Sequence, residues 1–344
     1  MQVATNPGDA LGLADMARYA GLPQDVIGMD GGALLSQAAK AAPQRFEVLQ
    51  QETVLALSRQ DWEVAVPRLS RLSVRHADPE AARAMGRLLV LSSQDARLLN
   101  ALRAELSNGS EWVARAVAAM RSEKLPFLPA LPFLQELVVR GAITNASGLA
   151  VVRALKAEGH WLEAHAVWLQ LWRRPLDLIH NGDFEREVVP GAFDWDFEGR
   201  PSAGQGVRIE RASFEGRGQV LRLSFTGRPF RTPVLKHDLL LPAGSYRLDS
   251  EVHIDGVSAQ GEFVWSVQCH DGGRQMARSP MASMSGRGWA KRSFELEVPT
   301  ACQASTLVLE PQDPGLARSG THGVLVLDNV RLTRTGSDAS QGSR

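Results

Sequence analysis

The chain has 344 residues, 44% of them apolar and 22% charged, the balance of a protein that builds a sizeable core and not of a disordered one. Lys plus Arg and Asp plus Glu number 38 each, which leaves no overall field to hold a nucleic acid or an anionic membrane surface. No apolar run nears the roughly 18 residues of a membrane span, and MQVATNPGDA lacks the basic flank and apolar stretch of a secretory signal, so the chain as it stands is expected to be soluble. Its length favours two domains.

Residues 9–177 read as helix after helix. Apolar residues recur at spacings of three and four over 46–57, 64–74, 79–91, 110–121, 133–140 and 147–172, and the short connections carry Gly, Asn, Pro or Asp. Two segments are alike: QDWEVAVPRLSRL (60–72) and GHWLEAHAVWLQL (159–171) each place a Trp, an Ala three residues later and a Leu seven after that. Trp62 and Trp161 stand close to three times the roughly 33–34 residues of a tetratricopeptide repeat apart, and the stretch resembles that family's G-D-Y/W-x-E-A turn. The resemblance implies a curved helical-repeat surface that engages a protein partner. Pro67 departs from the pattern and is expected to kink or end its helix. Trp161, Trp168 and Trp172 form one stripe of a last helix, either repeat core or the cement that fixes the following domain. LPFLPALPFL (125–134) has Pro at every third position; it is read as a packed connector, the alternative being a polyproline-II docking peptide.

After Arg174 the pattern changes to alternation. Strands are expected over 207–211, 220–225, 235–241, 246–254, 261–269, 290–298, 306–310 and 324–333, joined by Gly, Pro and Asp turns without intervening helices. The fold class is therefore α + β and multidomain: an all-α helical-repeat domain over 1–174, an antiparallel β-sandwich over 178–334, and a small polar tail, 335–344, expected to be disordered.

LIHNGDFE (178–185), FDWDFEG (193–199), LLLPAGSYRLDSEVHI (239–254), GWAKRSFELEVP (288–299) and VLVLDNVRL (324–332) follow one another in an order that resembles the jelly-roll carbohydrate-binding modules of families 4 and 22. That resemblance implies a jelly-roll sandwich that binds a polysaccharide and performs no chemistry on it. The whole arrangement is also similar to bacterial proteins associated with exopolysaccharide production, which implies a scaffolding role in the periplasm or outside the cell; a cytoplasmic protein is the alternative. In an oxidising setting Cys269 and Cys302 are expected to form a disulfide worth roughly 3 kcal/mol, the alternative being two buried thiols.

Sugar binding needs an aromatic ring against the apolar face of a pyranose, with charged and amide groups on the hydroxyls. Trp195, set in a loop-like stretch between Asp194 and Asp196, is expected to be an exposed platform. Trp265 shares strand parity with Phe263, Val267 and Cys269 and has a core reading beside its ligand reading; Tyr246 and Trp289 are read as core. Arg222, Arg247, Glu251, His253, Glu262 and Gln268 line either a groove or a solvated face. The candidate ligand set is Trp195, Trp265, Asp194, Arg222, Arg247 and Glu262. The same resemblance implies a structural calcium at Glu185 and Asp328, against the alternative that Asn181, Asp183 and Asp328 cap turns. No other cofactor is called for. HExxH and GxSxG are absent, and His160 and His165 stand five apart, off a common helix face. The expectation is thus no enzyme; a structural protein whose sandwich lacks a sugar site comes second, and a lyase or glycosidase using carboxylates among Glu185, Asp194, Asp196 and Glu251 comes third.

Overall fold

The structure is a computed structural model that describes residues 31–42, 45–197, 206–255, 263–270, 275–280 and 288–335. Glu262 and the tail beyond Thr335 lie outside the described residues. The chain divides into two compact units, 1–160 and 161–344. This division falls one helix before the change of composition near Arg174.

In the first unit α1 (Gly31–Ala41), α2 (Phe46–Ser58), α3 (Trp62–Arg75), α4 (Pro79–Leu91), α5 (Ala96–Glu105), α6 (Glu111–Glu123), α7 (Leu131–Val139) and α8 (Asn145–Ala157) follow through short turns. α3 packs on α2, α4, α5 and α6, α4 on α6, and α6 on α8, so packing links sequence neighbours, helices two places apart and, at α3 and α6, helices three places apart. Starts are fixed by side-chain caps: Asp78 before Pro79, Asp95 before α5 and Thr144 before α8 each accept a backbone N–H of the first turn. Asp95 also takes the indole N–H of Trp62 at 2.7 Å, tying the start of α3 to the start of α5.

Pro67 does not end α3, which runs through it to Arg75. The lost N–H sits in the second turn, and buried Ala65, Val66, Leu69 and Leu72 hold the helix on both sides of it. The 147–172 pattern is two helices, separated at Gly159 (φ +85°), a backbone region in which glycine carries no Cβ penalty. LPFLPALPFL is a packed connector: it forms a 3₁₀ turn at Leu128–Ala130 and the start of α7, burying Phe127, Phe133 and Leu134.

The second unit begins with α9 (Trp161–Trp172) and continues into β1 (Trp195–Asp196), β2 (Val207–Phe214), β3 (Gly218–Thr226), β4 (Leu235–Leu239), β5 (Gly244–Asp255), β6 (Phe263–Cys269), β7 (Gln275–Pro280), β8 (Trp289–Val298), β9 (Ser305–Pro311) and β10 (His322–Arg334). Among the described residues these form two five-stranded antiparallel sheets, a back sheet ordered β1-β4-β9-β6-β7 and a front sheet ordered β2-β3-β10-β5-β8, the jelly-roll sandwich expected. A short helix, α10 (Pro314–Ser319), interrupts what was read as strands alone. The core between the sheets holds Leu221, Leu223, Phe225, Tyr246, Leu248, Phe263, Trp265, Leu307, Leu309 and Leu327. Cys269 at the end of β6 and Cys302 just before β9 are joined in a disulfide.

LIHNGDFE, where the sandwich was expected to begin, is a run of turns. Asn181 adopts the left-handed region (φ +55°), and its amide brackets Arg186, donating to the carbonyl and accepting from the N–H at 3.0 Å each. The Gly182 carbonyl accepts the Val330 N–H at 2.9 Å. Phe184 is fully buried, and Arg211 donates to the carbonyls of Phe184 and Glu185 at 2.8 and 2.9 Å. The motif thus stitches the entry of the sandwich to its last strand and to β2.

α9 belongs with the sandwich because its stripe has aromatic partners there. Trp161 lies over His270 with ring centroids 4.2 Å apart, Trp168 is fully buried with its centroid 4.5 Å from that of His180, and His165 meets Phe193 at 4.6 Å. His165 and His180 touch Nε2 to Nε2 at 3.2 Å, a contact that holds one proton and has no place for two. Burial holds the His165 imidazole below its usual range, and burial, with His237 and His165 beside it and Arg174 and Arg186 nearby, pushes His180 down to about 3.

Two predictions follow from this packing. A Cβ added at Gly182 would lie 1.9 Å from the Val330 carbonyl oxygen, so Gly182→Ala is expected to cost about 2–4 kcal/mol in denaturant unfolding, far more than an exposed Gly141→Ala. For pH, the unfolded chain binds protons at His165 and His180 below about 6.5 that the folded chain refuses, so these groups make stability fall on acidification. Asp194, pushed up to about 6 by burial, acts in the opposite sense between about 3.8 and 6, where the folded chain holds a proton that the unfolded chain has released. Relative to wild type, His180→Gln should flatten the loss of stability from pH 6.5 to 4 by up to about 1.4 kcal/mol per pH unit, and Asp194→Asn should steepen it.

Candidate functional site

Strand alternation decides what the outer surface of the front sheet carries. On β5, Tyr246, Leu248, Ser250 and Val252 point into the sandwich, and Arg247, Asp249, Glu251 and His253 point out. On β8, Phe294, Leu296 and Val298 point in, so Trp289, Lys291, Ser293 and Glu295 share the outer face. The register sets His253 opposite Trp289, Glu251 opposite Lys291, Asp249 opposite Ser293 and Arg247 opposite Glu295. On β10, Asp328 stands opposite Glu251.

Between Asp328 and Arg331 the register slips by one residue, a bulge with Asn329 in the left-handed region at φ +50°. The extra residue turns Val330 into the core and leaves Asp328 and Asn329 together on the outer side, where the Asn329 amide donates to Glu251 and Asp328 at 3.3 Å each.

Arg217, in the turn between β2 and β3, reaches over this group. Its guanidinium donates to Glu251 and, at 3.1 Å, to Asp328, and lies 3.9 Å from the centroid of the Trp289 ring. Phe214 meets Trp289 edge-on at 5.2 Å and His253 at 5.4 Å. Phe214, His253 and Trp289 are all partly exposed, and the His253 Nδ1 is buried with no hydrogen-bond partner among the described residues. The hydrogen bond from Arg217 holds the Glu251 carboxyl below its usual range, whereas burial outweighs the same guanidinium at Asp328 and raises it. The result is an aromatic edge beside a fixed array of charged donors and acceptors on an otherwise polar sheet face. Along the same two strands lies a cavity of about 370 Å³ lined by Arg247, Asp249, Lys291, Ser293 and Arg331 among others.

The sequence-based ligand set is redistributed. Trp195 is fully buried, not an exposed platform: its indole N–H donates to the Asn181 carbonyl at 2.9 Å and its ring packs on Phe184 and His237. Asp194 is buried too; its carboxylate accepts the Val189 and Trp195 N–H groups at 3.2 and 2.8 Å and so folds the turn before β1. Trp265 is in the core with its centroid 6.1 Å from that of Trp195. Arg222 and Arg247 are exposed on the outer front face, and Glu262 lies outside the described residues. Trp289, read as core, is on the outer face instead, and Phe214 and Arg217 join it. Trp289 was legible from its parity with Lys291, Ser293 and Glu295; Arg217 had no local signal, because it acts across three strands.

Glu185 and Asp328 do not fit a calcium site. The Glu185 carboxylate accepts the Gln219 N–H at 3.0 Å, and Asp328 faces a guanidinium, which a cation would have to displace. Among the described residues no group of three or more His, Cys, Asp or Glu side chains is placed to hold a metal. Nor, among the described residues, is any helix long and apolar enough to cross a membrane.

No protein-family model and no curated protein matches the chain. Among solved structures, a CBM4 module is 14% identical with a TM-score of 0.35, the match covering 46% of this chain and 99% of that one. The CBM22-1 xylan-binding domain of Paenibacillus barcinonensis Xyn10C is 15% identical with a TM-score of 0.32, over 45% of this chain and 93% of its own. TmCBM61 in complex with beta-1,4-galactotriose is 16% identical with a TM-score of 0.31, over 47% and 100%. At these identities and scores the likeness assigns no ligand.

Removing Arg217 leaves Asp328 buried without its cation. Arg217→Met is therefore expected to lower unfolding stability by about 2 kcal/mol, and adding Asp328→Asn should return part of that loss in a double-mutant cycle. Additive losses would mean that the two side chains do not depend on each other.

Proposed function

We propose that the sandwich binds a polysaccharide on the outer face of the front sheet and does not turn it over. The observation that carries this reading is the partly exposed edge of Trp289, Phe214 and His253 set against Arg217 and Glu251. A pyranose offers CH groups to an aromatic surface and hydroxyls to charged groups, and this face supplies both side by side. The state of two carboxylates on this face supports the reading of binding without turnover. Glu251 is ionised and committed to Arg217, and Asp328 is 4% exposed, so neither is placed to pass a proton to a ligand in solvent.

The disulfide suits an oxidising compartment, which supports a periplasmic or extracellular setting and, within it, a scaffold that holds an exopolysaccharide near the apparatus that makes or exports it. The helical unit has room for a protein partner in a cleft of about 800 Å³ between α3 and α5, lined by Arg59, Asp61, Glu63, Arg97, Asn100 and Glu105 among others. Its helix packing agrees with a degenerate tetratricopeptide-type array.

Affinity gel electrophoresis against a panel of polysaccharides tests the reading. Wild type should be retarded by at least one polymer, Trp289→Ala should weaken that retardation about tenfold or more, and Trp195→Phe should melt earlier yet bind normally. Retardation by no polymer, or an unaffected Trp289→Ala, would leave the sandwich as a protein-docking module. Release of reducing ends or unsaturated products from a bound polymer would make it an enzyme.

A further inference from the structure

Resting on that reading, we infer that the polymer is anionic, and that the cavity at the β5–β8 end of the front face takes the carboxylate of a uronate-type sugar. The outer face gives the cavity three cations, Arg247, Lys291 and Arg331, and two carboxylates, Asp249 and Glu251. Both carboxylates are already satisfied by the protein. Asp249 accepts Arg247 Nε at 3.0 Å and the Ser293 hydroxyl, while Glu251 is held by Arg217, by the Asn329 amide and by Lys291 at 3.7 Å.

Arg331 is the residue this arrangement leaves over. Its cross-strand neighbour is Asp249, taken by Arg247 and Ser293, and among the described residues its guanidinium donates only to the amide oxygen of Asn329 at 3.3 Å. An exposed guanidinium with a neutral partner, at the rim of a cavity with a surplus of positive charge, is suited to a planar carboxylate that it meets with two parallel N–H groups.

The position fits a polymer. Lys291 follows Trp289 by two residues on the same face of β8, about 7 Å along the strand, and Arg331, opposite Asp249, stands at the level of Ser293, about 13 Å along from Trp289. A polymer with one pyranose beside Trp289 then carries the carboxylates of its following residues past Lys291 to Arg331. Neutral sugars use the aromatic edge alone and leave the cavity's surplus charge unanswered.

The test compares the full chain on a polyuronate and on the same polymer with its carboxyls reduced to alcohols, by affinity gel electrophoresis at two salt concentrations. Expected are about tenfold weaker binding of the reduced polymer, weaker polyuronate binding at the higher salt, and loss of the preference in Arg331→Gln with Lys291→Gln, whose residual affinity matches that for the reduced polymer. Trp289→Ala should weaken binding to both polymers. Should the double variant fail to fold by circular dichroism, Arg331→Gln alone is the second readout, expected to lose most of the preference for the polyuronate. Equal binding of the two polymers would overturn the anionic assignment while leaving carbohydrate binding intact, whereas binding to neither, alongside failure on every neutral polysaccharide, would remove both.

Discussion

One extra residue in the last strand governs both the closure of the sandwich and the layout of its outer face. Because β10 slips by one residue against β5 after Asp328, Val330 points into the core and its N–H reaches the Gly182 carbonyl, while Asp328 and Asn329 stay outside beside Glu251. Without the bulge, the alternation would carry either Val330 outward or Asp328 inward. The same displacement that fastens the entry turn to the final strand thus assembles the carboxylate group to which Arg217 attaches. Stability and surface chemistry are set by one backbone irregularity.

Arg217 then decides what that carboxylate group is able to do. A guanidinium shared between Glu251 and Asp328 occupies both carboxylates as acceptors and stands where a hard cation would have to bind. It also stiffens Trp289 from one side, since a planar cation stacked on an indole fixes the ring at the angle from which Phe214 meets it edge-on. Rigid aromatic surface beside immobilised hydrogen-bonding groups loses little entropy when a ligand arrives.

The contrast between three tryptophans explains what was legible in the sequence. Trp265 lies on β6 with Phe263, Val267 and Cys269, the parity that gave it a core reading beside its place in the ligand set, and it is in the core. Trp289 lies on β8 with Lys291, Ser293 and Glu295, and the same parity argument would have turned it outward had it been applied in place of the family resemblance. Trp195 misled because two flanking aspartates read as solvent exposure, whereas Asp194 is buried as an acceptor for backbone N–H groups, a role that depends on a turn the sequence does not announce. Periodic elements were visible down to nearly their end residues over 46–58 and 79–91. The sites depended on contacts between positions more than a hundred residues apart, as between Arg217 and Asp328.

The two matching Trp segments mark where local sequence stops determining structure. Gln60 and Gly159 both adopt positive φ, at 53° and 85°; α3 and α9 both begin two residues later, at the Trp; and Ala65 and Ala164 are both fully buried. Identical turn chemistry therefore builds identical helix starts. Yet α3 sits among helices, while α9 forms one compact unit with a β-sandwich. The difference lies in the rest of the helix face. α3 presents Leu69 and Leu72, which pack on other helices, whereas α9 presents His165 and Trp168, whose rings need aromatic and imidazole partners and find Phe193 and His180. A repeat signature fixes the geometry of a helix start, and the side chains one and two turns on select the body that the helix joins.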